Sequence, residues 1–127
     1  MSDVSKDEQT GRRPAGEVVV FNLQDEIQRA RNEPQSEADD RNAISLVKHR
    51  DFTVTLLMLR KGAHLHEHSV KGSVSVQVIS GAIRFSVAGN PKTISPGMIC
   101  VIDREIPHSV EALEDSTFLL TAALPGQ

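Results

Sequence analysis

Neither tryptophan nor tyrosine occurs in this chain of 127 residues, and the aromatic content, 3%, is four phenylalanines. Recognition by ring stacking, the usual way to hold single-stranded nucleic acid or a sugar face, is therefore disfavoured. Cys100 is the one cysteine, so no internal disulfide and no cysteine-built zinc finger can form. Positive charge is in short supply: 14 Lys and Arg stand against 17 Asp and Glu, a net of -3. Such a balance exerts no long-range pull on phosphate backbones or anionic lipid, and neither nucleic acid nor a membrane is expected as a partner. No stretch approaches the ~20 apolar residues of a membrane span, and MSDVSKDEQTGRRPAGE lacks an apolar signal core. The expected compartment is cytoplasmic.

What is present suits one globular core: 39% hydrophobic and 24% charged residues. Residues 1–42 hold 6 basic and 10 acidic residues, whereas 43–127 hold 8 and 7. The expected division is an acidic leader over 1–42 and a β-barrel domain over 43–127. Within the leader, 1–16 is expected to fray, and VVVF at 18–21 reads as a short edge strand. Asn22 or Asp25 is placed to cap a short helix through Arg31, and Glu33–Arg41 reads as a solvated loop.

From Ala43 onward, β-branched and apolar runs recur between Gly, Pro, Asn and Asp: AISLVK, FTVTLLMLR, SVSVQVIS, AIRFSVAG, MICVID and STFLLTAAL. SGAI at 80–83 and AGNP at 88–91 read as tight hairpin turns, and SPG at 95–97 as a further turn. About eight short strands with no helix between them predict an all-β fold, a small jelly-roll barrel. Phe85, Val76, Val78, Met58 and Phe118 are the expected interior.

Four of the five histidines fall in two places, His64, His66 and His68 in HLHEH and His108 in REIPHSV. In a regular strand, alternation puts all three imidazoles of HLHEH on one face. A fourth from a neighbouring strand would complete the donor set a divalent transition metal takes. The plain alternative is an exposed polar strand. His49, in KHRD, reads as a surface loop residue, and Cys100, flanked by apolar residues in MICVI, as an inert core thiol.

Over about residues 43–124 these features resemble the cupins, small β-barrels marked by two short motifs. Gly62, His66, His68 and Gly81 match the first motif, and Gly97 and His108, in PGMICVIDREIPH, match the second. The resemblance implies a double-stranded β-helix barrel whose metal, where present, is held by histidines and a carboxylate. Here the carboxylate position is Val74, the gap from His68 is one residue longer, and the second motif's Pro, Gly and Asn are Asp103, Glu105 and Ala112. Which of the HLHEH histidines would bind stays open. His64 is the first candidate to stand in for the carboxylate, ahead of Glu105 and Gln77.

The leading expectation is a cupin-domain protein that binds a divalent transition metal, Zn²⁺, Fe²⁺, Ni²⁺, Mn²⁺ or Cu²⁺, through His64, His66, His68 and His108. One alternative is a metal-free small-molecule-binding or sensory module. Another is a small metal-dependent dioxygenase or isomerase, with Glu105 the available acid or base. The catalytic residues and the substrate are not legible, no dinucleotide motif occurs, and a homodimer is expected from unpaired strand edges.

Overall fold

A computed structural model describes residues 18–32 and 39–125. The expected frayed segment 1–16 and most of the expected loop after the helix lie outside these residues. Helix α1 spans Leu23–Arg31, and Asn22 is its N-cap, its side-chain oxygen accepting from the Asp25 N–H at 3.1 Å. Asp25 and Glu26 in the first turn and Arg29 and Arg31 in the last complement the helix dipole. Leu23, Ile27 and Ala30, at helical spacing, form the apolar stripe. The VVVF segment ahead of the helix does not form the expected edge strand.

Nine strands follow: β1 Arg41–Lys48, β2 Phe52–Leu59, β3 His64–His68, β4 Ser73–Ser80, β5 Ile83–Val87, β6 Asn90–Ile94, β7 Ile99–Ile102, β8 His108–Ala112 and β9 Ser116–Ala123. They make two antiparallel sheets, one of five strands in the order β1-β2-β9-β4-β7 and one of four in the order β3-β8-β5-β6. This is the jelly-roll architecture expected from the spacing of strands and turns. The main core fills the space between the sheets, with Val74, Val76, Val78 and Phe118 from one and Ile83, Phe85 and Val110 from the other.

A second, smaller core lies on the outer face of the five-stranded sheet. There Ile27 of α1 packs with Leu46 and Leu56, joined by Phe21, Ile44, Val54 and Met58. Met58, expected inside the barrel, is on this outer side. In β2, Leu57 and Leu59 face the main core while Leu56 and Met58 face the helix, which explains the unbroken apolar run LLML.

The turns divide into two kinds. Ala88 and Gly89, both at positive φ (52° and 78°), close the β5–β6 hairpin as expected. SGAI is not a hairpin: β4 and β5 belong to different sheets, and Gly81 turns the chain from one to the other. Its φ is +85°, and a Cβ there would collide with the Asp115 carbonyl oxygen and with Ser116. The third turn, Ser95 to Met98, carries a Met98 N–H bond to the Ser95 carbonyl at 3.0 Å.

Candidate functional site

β8 positions the best-defined histidine. Its residues His108, Val110 and Ala112 are buried while Ser109 and Glu111 are not, so alternate positions face the core. His108 is 3% exposed and stacks on Phe85, with ring centroids 5.3 Å apart and planes at 18°. Its Nδ1 lies 3.0 Å from the Ile106 carbonyl oxygen. A carbonyl only accepts, so Nδ1 carries the proton and donates it to Ile106.

β3 does not follow the regular alternation expected of HLHEH. The ladder pairs His64 with Glu111 and Leu65 with Val110, then slips before His68 meets His108. Three steps along β3 oppose two along β8, so β3 carries one extra residue, a β-bulge at His66–Glu67. Glu111 and His108 are an odd number of residues apart on a regular strand and occupy opposite faces. The register positions of His64 and His68 are thereby on opposite faces too, and the single-face reading is corrected by the bulge.

On the outer face, His64, Glu111 and Arg84 form one row across β3, β8 and β5. Arg84 donates to Glu111 at 2.9 Å, and His64 Nε2 lies 3.9 Å from the same carboxylate, its side chain 59% exposed. At the other end of the ladder His68 is the register partner of His108, which is in turn paired with Val87. His66, in the bulge, is exposed.

Val74, at the position where the resemblance implies a carboxylate, is buried among the apolar side chains of the main core. Gln77 is exposed and pairs with Ile99 on the outer side of the five-stranded sheet, as its parity predicts. Ser73 is half-buried opposite Ala123. Glu105 is exposed, with φ at +61° and its N–H bonded to the Val70 carbonyl at 2.7 Å. Cys100 packs against the main core, and burial raises its thiol pKa, the combination that makes a thiol unreactive. His49 is not a plain surface residue: it is half-buried, and its Nε2 is enclosed without a hydrogen-bond partner.

Among the described residues, no three His, Cys, Asp or Glu side chains are grouped to hold a metal ion. A cavity of about 420 Å³ lies away from the histidines, beside the end of α1, with Arg31, Arg41 and Arg60 in its wall. No helix of the described residues is long and apolar enough to cross a membrane. Sequence reasoning missed two features of the site, the His108–Phe85 stack and the bulge. The extra residue between His68 and the carboxylate position lies after the bulge and does not signal it.

No family model and no curated protein matches the chain. Solved structures do. A conserved protein of unknown function from Streptococcus pyogenes is 24% identical, with a TM-score of 0.71 over 91% of this chain and 95% of that one. A cupin 2 conserved barrel domain protein from Leptotrichia buccalis is 26% identical, with a TM-score of 0.65 over 76% of this chain and 46% of that one. A cupin superfamily protein from Desulfitobacterium hafniense, at only 10% identity, still reaches a TM-score of 0.67 over 72% and 84%. Likeness of backbone at such low identity is likeness of fold, and with two antiparallel sheets enclosing one apolar core it makes this chain a small jelly-roll protein of the cupin fold.

Proposed function

We propose that this protein binds one divalent transition metal at the inner histidine row, with His108 as the fixed ligand. The observation that supports this most is the anchoring of the His108 ring. Metal-ligating histidines commonly donate one ring N–H to a backbone carbonyl, which sets the tautomer and presents the other nitrogen to the ion. The Nδ1 bond to Ile106 and the stack on Phe85 provide both restraints and direct Nε2 to that role.

His68 is the second ligand by register. Directly opposed residues in an antiparallel ladder have Cβ atoms about 4.5–5.5 Å apart, a span two imidazoles can bridge through one ion. His66, exposed in the bulge opposite Ser109, is proposed as the third, brought to the ion by the local turn of the bulged backbone. His64 is left out because its register position is on the other face, beside Glu111. With Val74 in place of a carboxylate the donor set is all imidazole, which suits Zn²⁺, Ni²⁺, Fe²⁺ or Cu²⁺ better than Mg²⁺ or Ca²⁺. When bound, such an ion supplies Lewis acidity to a small ligand. The chain's own contribution is to hold His108 rigidly and to wall the site with apolar side chains.

The test is metal content of the purified protein together with thermal shifts on adding Zn²⁺, Ni²⁺ and Fe²⁺. About one ion per chain is expected, with a rise in Tm of several degrees at a hundredfold excess over Kd. His108→Ala and His68→Ala abolish the shift, and His64→Ala keeps it. Because His108 is buried, circular dichroism must show its variant folded; His68→Ala carries the test if it is not. Absence of metal and of any shift overturns the proposal, as does a shift that survives both substitutions.

A further inference from the structure

The outer face of the five-stranded sheet changes character at the end of α1. Ile44, Leu56 and Leu119 are register partners across β1, β2 and β9, and all three belong to the outer core that the helix covers. Two residues along each strand, on the same face, the next row is Asn42, Met58 and Thr117, with Ser80 of β4 opposite Thr117. Three of these four side chains are polar, whereas the apolar row has none. Thr117 is nevertheless only 3% exposed, and the side-chain nitrogen of Asn42 is enclosed without a hydrogen-bond partner. Packing against a helix does not call for such residues. They line the cavity of about 420 Å³ beside the end of α1.

Charged residues from four chain segments complete the wall. Arg31 comes from the last turn of α1, Arg41 opens β1, Arg60 follows β2 and Asp115 precedes β9. Arg41 is committed to the neighbouring Asp40, donating to its two carboxylate oxygens at 2.8 and 3.4 Å and holding that carboxyl below the usual range. Asp115 accepts the Lys61 N–H at 2.8 Å. Arg31 and Arg60 are exposed and have no ion-pair partner among the described residues. The wall thus sets three guanidiniums, Arg31, Arg41 and Arg60, against two carboxylates, Asp40 and Asp115. This local excess of positive charge stands in a chain whose net is -3. The partial negative charge of the helix end is answered by Arg29 as well as by Arg31.

We infer that this cavity binds a small organic acid through its carboxylate, at a site that contains no histidine and does not depend on the metal-binding reading. A guanidinium presents its N–H donors in a fork that matches a carboxylate, and those of Arg31 and Arg60 are not taken up by any described acid of the chain. Asn42 and Thr117 add neutral donors, and Ala30, Met58 and Leu59 give the carbon skeleton an apolar surface. The volume is in the range of metabolite pockets, which begin at roughly 300 Å³, and is far larger than a bare ion needs. A single excess positive charge matches one carboxylate better than a phosphomonoester, which carries close to two negative charges at neutral pH.

Amide NMR titration of the full chain with lactate, gluconate and hexanoate tests this, with inorganic phosphate and the neutral polyol sorbitol alongside. At least one carboxylate is expected to bind at millimolar concentration or below and to shift Asn42, Arg60 and Thr117, and sorbitol is expected to shift nothing. Arg31→Gln and Arg60→Gln each weaken that binding at least tenfold, the worth of a lost charge-assisted contact. Both residues are exposed, so folding is expected to survive. Arg84→Gln, the same change of charge on the outer face of the other sheet, leaves binding as it is. No binding by any of the three carboxylates overturns the proposal. So does binding that survives both arginine substitutions, or that falls as far with Arg84→Gln, the mark of unspecific charge attraction. Phosphate bound where the carboxylates are not overturns the assignment to an organic acid.

Discussion

The five-stranded sheet is apolar on both faces in its β2 and β9 portion, with the main core on one side and the outer core beneath α1 on the other. The four-stranded sheet is apolar only toward the core, and its outer face carries the His64–Glu111–Arg84 row. The first sheet is a packing element, and its buried positions are filled mainly by aliphatic side chains. The second is where polar chemistry can be placed, because one face is free of packing duty and a bulge can bring a residue of β3 across to the other. Four of the five histidines are on the second sheet, and Val74, at the position where the resemblance implies a carboxylate, is on the first.

The sharpest way to probe this difference is to remove volume on each side of the five-stranded sheet. Phe118→Ala, at a fully buried position of the main core, is expected to cost about 3–5 kcal/mol in denaturant unfolding, and Leu56→Ala beneath α1 about 2–5 kcal/mol. If Leu56→Ala were neutral, the helix would not be a packing partner and the two-faced description of this sheet would fail. The junction between the sheets comes next. Gly81→Ala is expected to lower stability by at least about 1–3 kcal/mol, because a side chain at positive φ is strained and the Asp115 carbonyl occupies the space it needs. Chemical unfolding would register this as a lower midpoint at unchanged slope.

The smallest effect belongs to the outer face of the four-stranded sheet. Glu111→Gln removes a partly exposed ion pair with Arg84 and is expected to change stability by less than about 1 kcal/mol, screened further by salt. Metal-induced thermal shifts should be the same in this variant as in the wild type. A metal response lost on Glu111→Gln would move the site to the outer row and reverse the assignment of the two faces.

Much of this was legible along the chain because the signals are local. Asn22 caps α1 through an oxygen three residues from the N–H it accepts, and Ala88-Gly89 turns β5 into β6 through its own backbone angles. Strand lengths such as SVSVQVIS at 73–80 follow from a period of two that needs no partner to be seen. Gly81 shows where local reading stops: its positive φ is a local property, but whether that turn closes a hairpin or crosses between sheets depends on strands far away in sequence. Met58 fails in the same way, since the helix that covers it comes from another part of the chain.

The amino-acid sequence by itself determined the all-β class, the capped helix, the aliphatic interior, the absence of stacking residues and the lack of a carboxylate at Val74. Only the tertiary structure decided the register of the histidines against the neighbouring strand. Alternation along HLHEH is a rule for a strand that stays in register, and register is a property of two strands. Pairing with β8 inserts one extra residue between Leu65 and His68, which places His64 opposite Glu111 on the outside and sets His68 in register with the buried His108.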